Sequence, residues 1–271
     1  MQFIRKIVSD FFGLWRVCGF GIAVKWVTKI IGSFGECVRE RNLQPADIAM
    51  GKGPFPCRYG KARAKLTGVQ AISGIRELWV RDVYLNRGFL KIVPNSIVLD
   101  LGANMGNFTM LALAHGPDVR VVSVEPVSSN REKLLAQLEA NNWTDRVRIC
   151  PNFVGAKTAY QEQLQADAQT PGANFITEDE LIQQYGLERI DFLKCDIEGS
   201  EFELLGPNSR LLAMARQIAI ELHGHAGDPR KFIEMLRFKG FEIGTGDHNS
   251  EVIIVSARRA PSINPTISAT N

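Results

Sequence analysis

The 271-residue chain is 45% hydrophobic and 23% charged, with a formal net charge of +3. That length suits one sizeable core plus an appendage rather than two full domains, and so mild a charge argues against a polyanionic partner such as nucleic acid. The five cysteines, Cys18, Cys37, Cys57, Cys150 and Cys195, stand far apart with no C-x-x-C pair, which points away from a disulfide framework or zinc site and toward a reducing, cytoplasmic setting.

The chain opens on an amphipathic helix. Phe3, Ile4, Ile7, Val8, Phe11, Phe12, Trp15 and Cys18 recur at helical spacing, with Arg5, Lys6, Ser9, Asp10 and Arg16 opposite. Gly19-Phe20-Gly21 interrupts it, and Ile22 to Ile31 resumes with Lys25 and Lys29 on the polar side. No run reaches the roughly 18 uncharged residues that a spanning helix needs, and no signal-peptide cleavage pattern follows. Two readings of residues 2–31 stay open: peripheral contact with an anionic membrane, or packing on the chain's own domain or a second copy as a homodimer. Asn42 to Gly60, with three prolines and three glycines, reads as a linker or wrapping loop. The organisation expected is therefore an N-terminal helical segment and linker over residues 1–60, one domain over 61–258 and a disordered tail over 259–271.

From about Gln70 the pattern becomes regular. Ile72 to Leu90 reads as a helix. Strands follow at Ile97–Leu101, Val119–Glu125, Arg146–Cys150, Ile190–Asp196 and Gln217–Leu222, and helices at Asn107–Ala114, Ser128–Asn141, Glu178–Tyr185 and Pro229–Lys239. This alternation predicts an α/β fold with a mostly parallel sheet covered on both faces. Phe241–Ile243 and Glu251–Ser256 are joined too closely for a parallel crossover, so they form an antiparallel hairpin at one edge.

Ligands of such sheets sit beyond the carboxyl ends of the strands. After the first strand come Asp100, Gly102, Ala103, Asn104, Gly106 and Asn107; after the second, Glu125 and Pro126. Glu125 lies 23 positions beyond Gly102, where this architecture places an acid that grips both hydroxyls of an adenosine ribose. A nicotinamide dinucleotide would want a third glycine for its pyrophosphate, and Asp100 would repel a diphosphate. S-adenosylmethionine carries no phosphate. Asp100 would attract its ammonium, directly or through water, and the amides around Asn104 to Asn107 would hold its carboxylate. The alternatives are a nicotinamide oxidoreductase and a membrane-associated donor-binding module without turnover.

Val98 to Thr109, reading VLDLGANMGNFT, and Asp191 to Leu205, reading DFLKCDIEGSEFELL, resemble the two signatures of the FkbM-type class I methyltransferases. Further matches are Glu77 to Tyr84, Ile176 to Leu181 and Glu221-Leu222-His223, so the resemblance covers about Gln70 to Arg258. It implies the Rossmann-like, seven-stranded methyltransferase fold and O-methylation of a hydroxyl on a sugar, a glycan or glycolipid, or a secondary metabolite. The amphipathic N-terminus lies outside it.

On the fourth strand Phe192, Lys194 and Asp196 share one face. A lysine there needs a carboxylate or a route to the site, and Asp196 is the nearest in sequence. Glu198 and Glu201 follow; Glu201 also reads as a helix-start acid. A hydroxyl acceptor calls for a base, worth about 10²- to 10⁴-fold, and His223 is the leading candidate, oriented by Asp196 or Glu198, with His225 a weaker rival. Asp196, Glu198 and Glu221 could together hold Mg²⁺, but their spacing does not separate an ion site from a hydrogen-bond network, so no metal ligand is assigned.

Overall fold

The computed structural model describes residues 2–60, 62–155, 157–166, 169–244 and 252–259. The tail expected over 259–271 lies outside them except for Arg259, which is corrected to the last residue of a strand, paired with Phe241.

Four helices open the chain: α1 (Gln2–Cys18), α2 (Phe20–Gly32), α3 (Phe34–Arg39) and α4 (Gln44–Ala49). A two-stranded hairpin follows, β1 (Phe55–Tyr59) with β2 (Ala62–Leu66). The linker expected over Asn42–Gly60 is thus corrected to a helix and a strand. Its prolines mislead because each occupies a tolerated place: Pro45 sits in the first turn of α4, where its missing N–H has no intrahelical partner to lose, and Pro56 sits on a strand of a two-stranded edge.

The helix expected over Ile72–Leu90 is shorter. α5 (Ala71–Gly74) runs into a π-helical turn over Ile75–Val80, and the chain then leaves the helix. Asp82, Asn86 and Arg87 all take left-handed backbone angles (φ 59°, 49° and 54°), which no continuing right-handed helix accommodates.

The remaining elements alternate: β3 (Ile97–Leu101), α6 (Asn107–Ala114), β4 (Arg120–Val124), α7 (Ser128–Ala140), β5 (Val147–Cys150), β6 (Phe153–Val154), α8 (Ala159–Ala166), β7 (Phe175–Ile176), α9 (Glu178–Tyr185), β8 (Phe192–Cys195), α10 (Glu201–Leu204), α11 (Arg210–Met214), β9 (Gln217–His223), α12 (Pro229–Phe238), β10 (Phe241–Ile243) and β11 (Val252–Arg259). Local chemistry sets several ends. Thr177 and Glu180 form a reciprocal capping box at α9, and Asp228 accepts the amides of Arg230 and Lys231 ahead of Pro229 at α12.

Seven strands form one sheet in the order β10-β11-β9-β8-β3-β4-β5. β9, β8, β3, β4 and β5 are parallel neighbours, whereas β11 runs antiparallel to both β9 and β10. The edge hairpin is as expected. The chain moves outward through β4 and β5, then returns to β8 on the other side of β3, so the strand order reverses between β3 and β8 and opens a crevice there.

Side-chain alternation splits the core in two. On one face Val98, Val121 and Phe192 pack with α6, the π turn and the N-terminal helices through Leu14, Trp26 and Ile30. On the other, Leu99, Leu101, Val124, Leu193 and Ile220 pack under α11 and α12 through Leu211, Leu212 and Leu236. The N-terminal helices therefore share a core with the sheet. Arg76 fixes this junction: it donates to Asp10 of α1 at 2.9 and 3.0 Å and to Asp47 of α4, while Trp26 Nε1 donates to Asp47 at 2.7 Å.

Candidate active site

At the crevice the loop after β3 turns back on itself. Gly102 has φ 74°, and a Cβ there would come 1.8 Å from the Asp196 carbonyl oxygen, so only glycine lets β3 and β8 end side by side. Gly106 (φ 88°) starts α6, and a Cβ there would strike Leu134 of α7.

Two clefts meet on this ledge, sharing Gly102, Asn104 and Asp196. The first, about 110 Å³, is floored by Glu125 and Pro126 and walled by Asn130, Phe153, Gln161 and Leu164. The second, about 230 Å³, runs over Ala103 and Asn107 to Lys194, Tyr84 and Glu77, with Gln44, Gln70 and Ser73 on its rim. Gln44 opens α4, inside the segment read from sequence as a linker or wrapping loop.

Glu125 is where the sequence placed it. It is 5% exposed, Oε2 accepts the Asn104 amide at 2.7 Å, and Oε1 accepts the Val127 amide at 2.8 Å and Asn130 Nδ2 at 3.4 Å. Burial raises its carboxyl above the usual range, opposed by these bonds.

Asp100 is not on the ledge. It is fully buried beneath the loop, accepts from Thr109 Oγ1 at 2.7 Å and stands 3.5 Å from Lys194 Nζ. The expected attraction of Asp100 for the donor's ammonium is corrected: residues at successive strand positions point to opposite faces, and register places Asp100 beside Lys194 under the loop. Lys194 donates to the Gly102 carbonyl at 2.6 Å and lies 3.8 Å from Asp196 Oδ2. Burial works against its charge, but Asp100 and then Asp196 outweigh burial and hold the ammonium above its usual range. Lys194 is therefore both a pin for the loop and part of the second cleft's floor.

The loop amides are also partly committed. The Asn104 amide goes to Glu125 and the Met105 amide to the Asn104 side chain at 2.8 Å. That leaves the amides of Asn107, Phe108 and Thr109 at the start of α6 without intrahelical acceptors, the Met110 amide donating to the Gly106 carbonyl at 2.8 Å. Asn107 Oδ1 is buried with no partner in the same cleft.

His223 ends β9 and is 7% exposed. Nδ1 lies 2.8 Å from Glu201 Oε1 and Nε2 lies 3.5 Å from Glu198 Oε2. The Glu201 hydrogen bond outweighs burial and pushes the imidazole up to about 9. At neutral pH both nitrogens are protonated and flanked by acids, so the expected role of His223 as a ready base is corrected: an imidazolium has no lone pair to accept a proton. Glu201 is fully buried and also accepts the Ile197 and Gly199 amides, which organises the turn after β8. Burial pushes Glu201 up, but the His223 bond and the Gly199 amide hold it below the usual range. Glu198, with φ 55°, borders the first cleft, and burial followed by Asp196 raises its carboxyl. His225 is exposed, its ring centroid 5.7 Å from that of His223.

Glu77 is not among the site residues expected from sequence, and Glu221 is considered there only as one of three carboxylates that could hold Mg²⁺. Glu221 accepts from Tyr84 Oη at 2.7 Å, and burial, then Asp196, push it up to about 7. Glu77 reaches solvent through the second cleft, and its surroundings raise its carboxyl, with Asp196 adding to burial. The signal available was the pair of motifs that carry them, Glu77 to Tyr84 and Glu221-Leu222-His223. Ligand atoms of Asp196, Glu221 and His223 lie within 4.8 Å of one another, so His223 rather than Glu198 joins the trio considered for Mg²⁺. A cation there would have to displace a proton from His223.

The strand order, the antiparallel strand next to one edge and a glycine loop after β3 facing an acid at the end of the neighbouring β4 define a class I methyltransferase fold. Residues 100–243, a little over half of the chain, match the family model described as the methyltransferase FkbM domain, and the chain belongs to that family. Among curated relatives, the AMB antimetabolite synthetase AmbE of Pseudomonas aeruginosa is 27% identical over 62% of this chain but 10% of its own length. Methyltransferase sdnD of Sordaria araneosa is 25% identical over 55% of this chain and 74% of its own. The crystal structure of methyltransferase FkbM from Methylobacillus flagellatus KT is 17% identical, with TM-score 0.46, over 70% of this chain and 54% of that one. The nicotinamide oxidoreductase alternative falls with the family. S-adenosylmethionine is the cofactor, and the residues fit it: an acid at the end of β4 for the ribose, apolar walls with amide side chains beside it, and the unpartnered Asn107 Oδ1 with free α6 amides for the amino-acid end.

Proposed function

We propose that the chain methylates a hydroxyl of a polyhydroxylated acceptor, a sugar, glycan or glycolipid, or a secondary metabolite, with Glu221 as the base. The carrying observation is Glu221 itself, a carboxyl pushed up to about 7, tied to Tyr84 and with a ligand atom within 4.8 Å of one on Asp196, which lines both clefts. A base works best when its pKa lies near the operating pH.

When bound, S-adenosylmethionine supplies an electrophilic methyl on a sulfonium. Glu125 would hold the ribose hydroxyls, and Phe153, Leu164, Pro126, Asn130 and Gln161 would hold the adenine. Ala103 and Asn107 would hold the amino-acid end, and Glu77 and Asp196, rather than Asp100, would meet its ammonium. Gln44, Gln70 and Ser73 offer neutral donors and acceptors to the acceptor's other hydroxyls. Glu221 takes the proton of the attacking hydroxyl, while Lys194 and the imidazolium of His223 keep the surrounding carboxylates from repelling one another. Orientation on the ledge supplies on the order of 7 to 11 kcal/mol and outweighs the base.

The test is turnover of S-adenosylmethionine with a panel of glycans, glycolipids and polyols, wild type against Glu221→Gln. Product carrying a methyl ether supports the reading. Donor binding without any turnover favours the non-catalytic module, and methylation of nitrogen or carbon removes the hydroxyl acceptor.

A further inference from the structure

Beyond the methyl-transfer ledge, the largest cleft described, about 920 Å³, lies between α1, β1 and the segment after the π turn. Four arginines line it: Arg16, Arg58, Arg81 and Arg87. Arg81 is committed to Asp10. Arg16, Arg58 and Arg87 are exposed and form no salt bridge among the described residues. Asp82 is the one acid in the lining; burial pushes its carboxyl up to about 6, opposed by the Arg87 backbone and by the charge of Arg16, and one acid faces four arginines. Trp79, 2% exposed, also lines the cleft, and its indole Nε1 has no acceptor. A buried donor among guanidiniums that outnumber the acids beside them asks for an oxyanion, and the planar guanidinium fork suits phosphate.

The same helix carries a second feature. Phe12, Trp15 and Phe20 touch ring to ring at the α1–α2 corner, with centroids 5.3 to 6.1 Å apart along the chain of contacts, and each stands about half exposed. Ile4, Val8, Val24 and Ile31 extend this apolar ridge along both helices. Arg16 follows Phe12 by one helical turn, so the ridge borders the arginine cleft. Aromatic rings beside arginines match the layered chemistry of a bilayer interface, apolar below and anionic above. A second copy of the chain fits less well, because a symmetric contact through this face would bring two sets of arginines together. No helix among the described residues is long and apolar enough to cross a membrane, so contact would be peripheral.

We propose that this face seats on a membrane, the arginine cleft taking the phosphate of an anionic lipid while the α1–α2 aromatic ridge enters the interfacial layer. The π turn would link the two sites, since it lends Glu77 and Leu78 to the methyl-transfer cleft and Trp79 and Val80 to this one.

The test is flotation of the full chain with vesicles of phosphatidylcholine alone or mixed with phosphatidylglycerol. Wild type should float with the mixed vesicles and lose binding as salt is raised. Arg16→Glu and Arg58→Glu should each lower partitioning at least about fivefold, and Phe12→Ser with Trp15→Ser should lower it too, while calorimetry with S-adenosylmethionine shows each variant folded. Equal partitioning onto both vesicle types, or indifference to the arginine changes, overturns the proposal. So does stabilisation by inorganic phosphate with no vesicle binding, which would make the cleft a soluble-anion site. A concentration-dependent dimer that the Phe12 and Trp15 changes abolish, again without vesicle binding, would give the ridge to a second copy.

Discussion

Tyr84 Oη donates to Glu221 Oε1 across 2.7 Å, joining residues 137 positions apart. This bond favours the ionised carboxylate and opposes burial and Asp196, which push Glu221 the other way. Turnover should therefore rise with pH along a limb near 7, as Glu221 loses its proton and becomes able to accept one. Glu221→Gln should remove that limb and lower kcat by about 10²- to 10⁴-fold. Tyr84→Phe should keep the limb but move it to higher pH, since the bond that helps ionisation is gone. Initial rates across the neutral range decide it: a limb that persists in Glu221→Gln assigns the base elsewhere.

His223 and Glu201 make a pair whose stabilisation has a defined pH window. The imidazole's folded value of about 9 lies above its ordinary 6.5. Its contribution is therefore fully present below about 6.5 and is lost as pH rises through about 9. Urea unfolding at about pH 6 and about pH 10 should show a larger loss of stability in wild type than in His223→Gln. His223→Ala, which leaves Glu201 buried without its cation, should cost about 3 to 5 kcal/mol. Equal pH slopes in wild type and His223→Gln would mean that the imidazole is not held in its charged form.

Glu125 carries two jobs in one carboxylate. It ties the Asn104 amide of the glycine loop to the end of β4 and, in the proposed complex, holds the ribose diol. Glu125→Ala should weaken S-adenosylmethionine binding by roughly 10- to 100-fold, from the loss of charge-assisted bonds worth about 1.5 to 3 kcal/mol. Glu125→Gln retains one acceptor oxygen for the loop and should fall between. Calorimetric titration measures it directly, and unchanged affinity in Glu125→Ala takes the residue out of the site.

The sheet was legible because its signal is local. Ile97–Leu101 and Asn107–Ala114 agree with the structure to the residue, since a fully buried strand running into Gly102 and Gly106 leaves few alternatives. Glu125 was legible because its place follows from strand spacing. Asp100 was misplaced because its role depends on which neighbour shares its face, and that neighbour, Lys194, comes from a strand far along the chain. The charge of His223 was hidden for the same reason: Glu201 must fold back from α10 to set it. Glu77 and Glu221 draw their character from burial and from Asp196, which no spacing encodes.

Arg76 decides whether the N-terminal helices and the π turn stay together. Its guanidinium bridges Asp10 and Asp47, stacks 4.9 Å from the Trp26 ring, and is 5% exposed with both acids at 1%. Removing it leaves the buried Asp47 without its cation and Asp10 with Arg81 alone, at a cost of about 3 to 5 kcal/mol. Arg76→Ala should therefore lower the thermal midpoint strongly. Because the next residue is Glu77, it should also weaken S-adenosylmethionine binding while the donor-contacting side chains remain intact. Arg76→Lys supplies charge without the planar fork and should recover only part of both. Asp10→Asn, which keeps Asp47 paired, should be milder. Thermal unfolding and calorimetry on the three variants test the order, and an Arg76→Ala protein as stable as wild type would show that α1 and α4 are held by their apolar contacts alone.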